Sequence, residues 1–354
     1  MICRMKITSE TSLKIKFLSF LAAVLVVCIH APATTEVGLS KWIENLVGTQ
    51  IASCAVPFFF AVSGYLLGIR FDGIERFSSV YSATLLKRVR SLLIPYLFWC
   101  FAFGIEINLV CLAANVVSHY DLARNIDLNP LHIFGLDLLR NPPMPLWFLR
   151  ALMLYVLAVP LFWWISRRKM LFWLLVGMLM AFDCTKNMYI PEYLRDCLFA
   201  FTLSPKNIFA FVFGLYLSLH PLTFAKRYKW IFLLLGTSLY VFLSLRIFWG
   251  FEMPYSFGVL ISRLSTFLFL CGAWFAVPAL QLPKFLEGQS FRIYLLHAVI
   301  IPYMSIFSQG RLSFMLSWPL YMVNVSFCVL CCLMISHWMQ RRMPSFSNTV
   351  FGGR

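Results

Sequence analysis

Charge is what this sequence has least of. Only 12% of its 354 residues are Asp, Glu, Lys or Arg, about half the share in ordinary soluble domains. Acidic residues are the scarcer sign, 14 against 30 basic ones, for a net charge of +16. So little charge excludes a disordered chain, a coiled coil and a soluble globular enzyme. Segments of alternating polarity are missing too, which argues against a transmembrane barrel. No basic and aromatic run stands apart from the apolar stretches, so no nucleic-acid partner is expected. The cluster Cys328-x-x-Cys331-Cys332 has no second ligand pair at zinc spacing. It reads as small apolar residues in a membrane helix, and no metal is expected. No inverted internal repeat is visible.

What the sequence does have is apolar length: 61% of residues are hydrophobic and 17% aromatic. At about 20 residues per crossing, this predicts an all-α integral membrane protein with about ten transmembrane helices. They fall near residues 13–33, 48–69, 91–115, 145–165, 169–187, 204–220, 229–248, 256–279, 289–308 and 314–338. The expected organisation is a cytoplasmic segment over 1–12, a membrane domain over 13–338 and a cytoplasmic tail over 339–354. The longest polar stretch, about 116–144, is an outside loop carrying His119, Asp121, Arg124, Asp127, His132 and Asp137. A loop of that length is more often functional than spare.

Charge sets the orientation. With the N-terminus inside, the inside segments hold 20 of the 30 basic residues and four of the 14 acidic ones. The excess recurs at each inside loop, which places both termini in the cytoplasm. Lys14 and Lys16 before an apolar run, with Ala31-Pro32-Ala33 after it, imitate a signal peptide. The proline inside that site argues against cleavage.

Ionisable residues inside spans are expensive and point to function. His30 lies 14 residues past Lys16, about 21 Å further along the first helix, in its outer half. Arg150 and Arg263 sit near the outer ends of helices 4 and 8, and Glu106 lies well into helix 3. The expectation is that these four share one depth and line a cavity open to the outside. Ion pairing of Glu106 with Arg150 or Arg263 is the competing reading. His297 reads as a hydrogen-bonded core histidine, and His337 likewise. A neutral imidazole at a cavity mouth can take a proton from a hydroxyl at neutral pH, which suits His30.

Several stretches, in order, carry a resemblance. They are Phe20 through His30 and Val56 through Leu67, the latter containing Ser63-Gly64-Tyr65. Lys87-Arg88-Val89-Arg90 follows, leading into Ile94-Pro95-Tyr96 and Trp99. Pro145-Leu146-Trp147-Phe148-Leu149-Arg150 and Ile293-Tyr294-Leu295-Leu296-His297 complete the set. Together they resemble the membrane-bound acyltransferase 3 family of sugar and polysaccharide O-acyltransferases, and the match spans essentially the whole chain. One position departs from it. Where members usually carry an arginine eleven residues before the helix-1 histidine, this chain has Ser19. Lys16 lies one turn earlier, on nearly the same face, and can supply the charge from there.

The resemblance implies acyl transfer, usually acetyl, from cytoplasmic acyl-CoA (acetyl-CoA) to a hydroxyl of a glycan or lipid-linked sugar. The donor is a co-substrate, and no bound cofactor is expected. His30 would act as general base, with Arg150 or Arg263 stabilising the oxyanion. Trp147, Glu106, Ser63 and Lys16 would contribute to substrate binding, and Lys87, Arg88 and Arg90 would meet the phosphates of CoA. Trp147 serves equally as an interfacial anchor, and Ser63-Gly64 equally as a small-residue packing site. The expected location is a bacterial cytoplasmic membrane. An exporter or flippase of a glycan or lipid-linked intermediate is the rival reading. A degenerate member that only binds partners is a third, motivated by Ser19.

Overall fold

The computed structural model describes residues 7–31, 38–71, 77–118, 145–185, 203–308 and 317–353. The outside loop expected over 116–144 lies largely outside the described residues. Every regular element among those described is helical. In chain order the first are α1 (Ser9–His30), α2 (Gly38–Glu44), α3 (Ala55–Phe71), α4 (Phe77–Arg88) and α5 (Ile94–Ser118). Next come α6 (Trp147–Leu157), α7 (Val159–Ser166), α8 (Lys169–Cys184), α9 (Pro205–Leu219) and the short α10 (Thr223–Arg227). The last are α11 (Lys229–Phe248), α12 (Tyr255–Ala276), α13 (Ser290–Ser308), α14 (Ser317–Arg342) and α15 (Pro344–Val350).

Among the described residues, six helical stretches are long and apolar enough to cross a membrane. They are Ser9–His30, Lys41–Phe71, Phe77–Glu106, Lys229–Phe248, Tyr255–Ala276 and Leu320–Arg342. The α6–α7 pair makes a seventh if it is one span, although it bends by 67°. Sequence reading treats 145–165 as a single straight helix. The bend falls at Ala158, just before Pro160, whose missing N–H and fixed φ break the hydrogen-bond ladder. Two further stretches outlast their expected bounds. A π-helical turn over Asn45–Ile51 and a short tight turn over Ala52–Cys54 join α2 to α3. Another π-helical turn over Val89–Leu93 joins α4 to α5.

Apolar side chains on the helix surfaces do not need hiding from lipid, and many are exposed, among them Met170, Leu174, Leu234, Leu330 and Met334. Cations stack on neighbouring rings at what the charge bias marks as the inner surface. Arg168 lies 4.3 Å over Trp164, and Lys229 lies 5.4 Å over Trp230. Such cation–aromatic pairs anchor helix ends at the interface.

Helix contacts rely on missing side chains. The closest pairing is α3 with α9. A Cβ on Gly64 would collide with the Phe211 carbonyl, and one on Gly214 with the Ala61 carbonyl. Gly68 similarly abuts Ser218. In the α11–α12 pair, Gly236 meets Phe269 and Gly272 meets Leu233. Between lipid-bathed helices association comes from van der Waals contact, so small residues that let backbones touch are the means of attachment. Ser63-Gly64 therefore belongs to the α3–α9 seam, which favours the packing reading of that dipeptide.

The C-terminal segment closes the end of the bundle where α5 and α13 begin. Trp99 Nε1 donates to the Val350 carbonyl (2.9 Å). The fully buried Arg292 donates to Ser347 Oγ (2.6 Å) and lies 4.6 Å over the Phe351 ring. A buried guanidinium stripped of such partners is strongly destabilising.

Two measurements of thermal unfolding in detergent check this packing. Gly64→Val or Gly214→Val should lower stability by about 1–3 kcal/mol or more through overpacking. Gly177→Ala, where a Cβ meets nothing within 4 Å, should be neutral. Deleting residues 344–354 should lower the midpoint further than Gly177→Ala and reduce recoverable monodisperse protein. An unchanged midpoint in the truncated chain would contradict the role assigned to Arg292.

Candidate active site

The helix ends and midpoints that carry chemistry meet around α13. His30, the last residue of α1, stacks on His297 of α13 with ring centroids 5.3 Å apart and 27° between planes. His297 is buried, and its Nδ1 lies 3.2 Å from the Ile293 carbonyl one turn earlier. That carbonyl only accepts, so Nδ1 carries the hydrogen in this contact. His297 is the main group that sequence reasoning set aside. The signal was present, because the stretch Ile293–His297 is among those that carry the family resemblance.

The end of α1 is held from α14. The last carbonyls of a helix have no partner within it. Here the Val27 carbonyl accepts from the Ala31 N–H (2.8 Å), and the Cys28 carbonyl accepts from the Tyr321 hydroxyl (2.7 Å). Gly48 makes this geometry possible. A Cβ there would come within 2.6 Å of the Tyr321 oxygen and 3.0 Å of the Cys28 carbonyl. His30 follows two residues later, so Tyr321 and Gly48 position it.

One wall of the histidine pair is aromatic. The Tyr294 hydroxyl donates to the Pro145 carbonyl, tying α13 to the turn that enters α6. Phe148 packs at 5.4 Å from Tyr294 and 4.6 Å from Phe60. Trp147, half-buried, lies 6.5 Å from both Phe60 and Phe148.

The four expected cavity charges do not share one depth. Arg150, half-buried on α6, lies within electrostatic range of Tyr96 and Cys100 of α5. Glu106 sits on the same α5, within range of Tyr303 of α13. It follows Cys100 by six residues and Tyr96 by ten, or about 9–15 Å along the helix. On α13, His297 falls between Tyr294 and Tyr303, about 4–5 Å above one and 9 Å below the other. Along α13 the Tyr294–Pro145 contact, His297 and Tyr303 thus follow in order, with Arg150 set toward the start of α5 and Glu106 toward Tyr303. The reason is that α6 enters at the level of Tyr294, instead of at the opposite end of α13. Glu106 is buried, and its Oε1 meets no hydrogen-bond partner among the described residues.

The remaining expected residues lie elsewhere. Arg263 of α12 donates from Nε to Asp183 Oδ2 of α8 at 2.6 Å, so its carboxylate is not Glu106. Lys16 bridges to Glu287 at 3.4 Å, before the start of α13. Lys87 and Arg88 close α4, and Arg90 lies in the turn that follows. Lys87 and Arg90 are exposed, while Arg88 is half-buried and within electrostatic range of Arg70 on α3. Among the described residues no group of three or more His, Cys, Asp or Glu side chains could hold a metal ion.

A family model described as "acyltransferase domain" matches residues 14–341. The chain is also similar to the succinoglycan biosynthesis protein ExoH of Rhizobium meliloti (strain 1021). The two are 24% identical over 379 residues, covering 98% of this chain and 93% of that protein. No solved structure matches.

The support of His30 can be measured. Tyr321→Phe leaves the Cys28 carbonyl unpaired and should cost about 1–3 kcal/mol of stability. Gly48→Ala removes the same hydrogen bond by crowding it, so the double variant should cost no more than the worse single one. Additive losses in thermal unfolding would show that the two positions act separately.

Proposed function

This chain belongs to the acyltransferase domain family, and on that premise we propose that it is a membrane O-acyltransferase. It moves an acyl group, acetyl in the simplest case, from cytoplasmic acyl-CoA to a hydroxyl of a surface glycan or lipid-linked sugar. The observation that carries this reading is the His30–His297 stack, 5.3 Å between centroids, in a chain of that family. The relative named for succinoglycan biosynthesis supports a polysaccharide-related acceptor.

In this reading ten spans place both termini in the cytoplasm of a bacterial cell. The inside excess of 20 basic over four acidic residues supports it, as do the cation–aromatic pairs at Trp164–Arg168 and Lys229–Trp230. The donor then arrives on the side of Arg70, Lys87, Arg88 and Arg90, whose charges suit the phosphates of CoA. Its acyl thioester reaches Arg150. The acceptor descends from the other side, past Glu106 and Tyr303. A buried carboxylate oxygen suits a sugar hydroxyl as donor, and Trp147 offers an aromatic face.

His30 takes the proton of the acceptor hydroxyl while its oxygen attacks the thioester carbonyl. Arg150 stabilises the oxyanion of the tetrahedral intermediate. Collapse forms the ester, breaks the C–S bond and returns the proton from the imidazolium to the departing thiolate. His297 is a positioning residue: it holds the His30 ring and stays neutral beside it, since two stacked imidazoles cannot both be charged cheaply.

Thiol release from acetyl-CoA by purified protein, with glycans of the native host as acceptor, tests the reading. His30→Ala should reduce glycan-dependent release by about 10²–10⁴-fold while the protein still accumulates and purifies as a monodisperse species. Arg88→Gln should raise KM for the donor with little change in kcat. Folded wild-type protein that binds no acyl-CoA and releases no thiol would overturn the reading in favour of an exporter.

A further inference from the structure

A cavity lies apart from the histidine pair, at the closed end of the α11–α12 hairpin. Its volume is about 510 Å³, and its polar lining is Arg246, Arg263, Gln50, Tyr255 and Ser262. Its wall is otherwise apolar, with Leu243, Ile247 and Val259. Arg246 spends its Nε on the Phe251 carbonyl (2.9 Å), and no acid pairs with it among the described residues. Arg263 shares the single carboxylate of Asp183, and Lys206 lies within electrostatic range of both. Two guanidiniums therefore line the cavity, and the Asp183 carboxylate pairs with only one of them among the described residues.

Three features together select the ligand. Two guanidiniums with N–H groups to spare suit a phosphate. The apolar wall suits a hydrocarbon chain attached to it. Exposed Phe248, Trp249, Phe251 and Phe257 surround the hairpin tip, and such aromatic rims sit at headgroup depth. The cavity wall is also continuous with the turn that lies against the end of α1. Gln50 belongs to the π-helical turn whose Gly48 touches the Cys28 carbonyl, two residues before His30.

We propose that this pocket holds the phosphate of a lipid-linked sugar, so that the acceptor is presented from a membrane-anchored lipid phosphate and its glycan reaches toward His30. The proposal rests on the acyltransferase reading for the word acceptor. The phosphate site itself stands on the cavity alone. Lipid phosphate has two sources, a polyprenyl-type carrier and bulk phospholipid, and the proposal commits to the first.

Binding of farnesyl diphosphate to protein in phosphatidylcholine nanodiscs tests it, with farnesol and phosphatidylglycerol as competitors. Saturable binding about tenfold or more tighter than farnesol is expected, since charged hydrogen bonds of about 1.5–3 kcal/mol are at stake. Arg246→Gln should weaken binding by a similar factor, and Arg246→Lys should retain most of it. Equal affinity for farnesol and farnesyl diphosphate would overturn the proposal on wild-type protein alone, whatever the variants do. Phosphatidylglycerol displacing the probe with equal affinity would assign the pocket to bulk phospholipid and overturn the acceptor assignment. Acetyl-CoA turnover, read in the same preparation, separates the two claims. Turnover without diphosphate preference overturns this inference, and diphosphate binding without turnover overturns the acyltransferase reading and leaves the phosphate site standing.

Discussion

An ionisable side chain in hydrocarbon costs several kcal/mol unless it is paired or wetted, and the helices are arranged around the ways this chain meets that cost. Lys16 meets it at the membrane edge with Glu287, and Arg263 meets it with Asp183. Arg292 meets it inside the fold, through Ser347 and the Phe351 ring, which recruits the C-terminal segment into the bundle. The groups left over are the ones with chemistry to offer. His30 and His297 lie against each other, and Glu106 keeps an oxygen without a partner among the described residues.

Those leftovers are ordered along α13 by backbone contacts. Tyr294 ties that helix to the entry of α6 through the Pro145 carbonyl. Tyr321 ties the end of α1 to α14 through the Cys28 carbonyl. The Cys28 carbonyl is an acceptor that the end of α1 leaves free, whereas the Pro145 carbonyl, before the start of α6, is shared with the Phe148 N–H. The glycine seams of α3–α9 and α11–α12 provide the rigid frame. His30, at the end of α1, is thereby tied into the bundle through the carbonyl two residues before it.

Much of this was legible in the residues. The all-helical membrane architecture follows from apolar length and scarce charge, and the cost of a buried imidazole marks His30 as a candidate. Partners were harder to read. Glu106, Arg150 and Arg263 look equivalent in sequence because position within an apolar run gives depth only if the run is one straight helix. The break at Ala158–Pro160 and the entry of α6 at the level of Tyr294 remove that equivalence. Asp183 near the end of α8 gave no sign of reaching Arg263, 80 residues on. His297 is the buried, hydrogen-bonded histidine that the sequence suggests, but helical spacing cannot reveal which ring from another helix lies against it.

In the proposed mechanism His30 and His297 act as one unit. A double-mutant cycle on the rate of glycan-dependent thiol release tests it most directly, with His30→Ala, His297→Ala and the pair, each checked for folding. Residues that act together are strongly non-additive. The account predicts that the double variant is no slower than the slower single one. Losses that multiply, with both singles retaining substantial activity, would mean that the stacked rings work independently, and the account would fail.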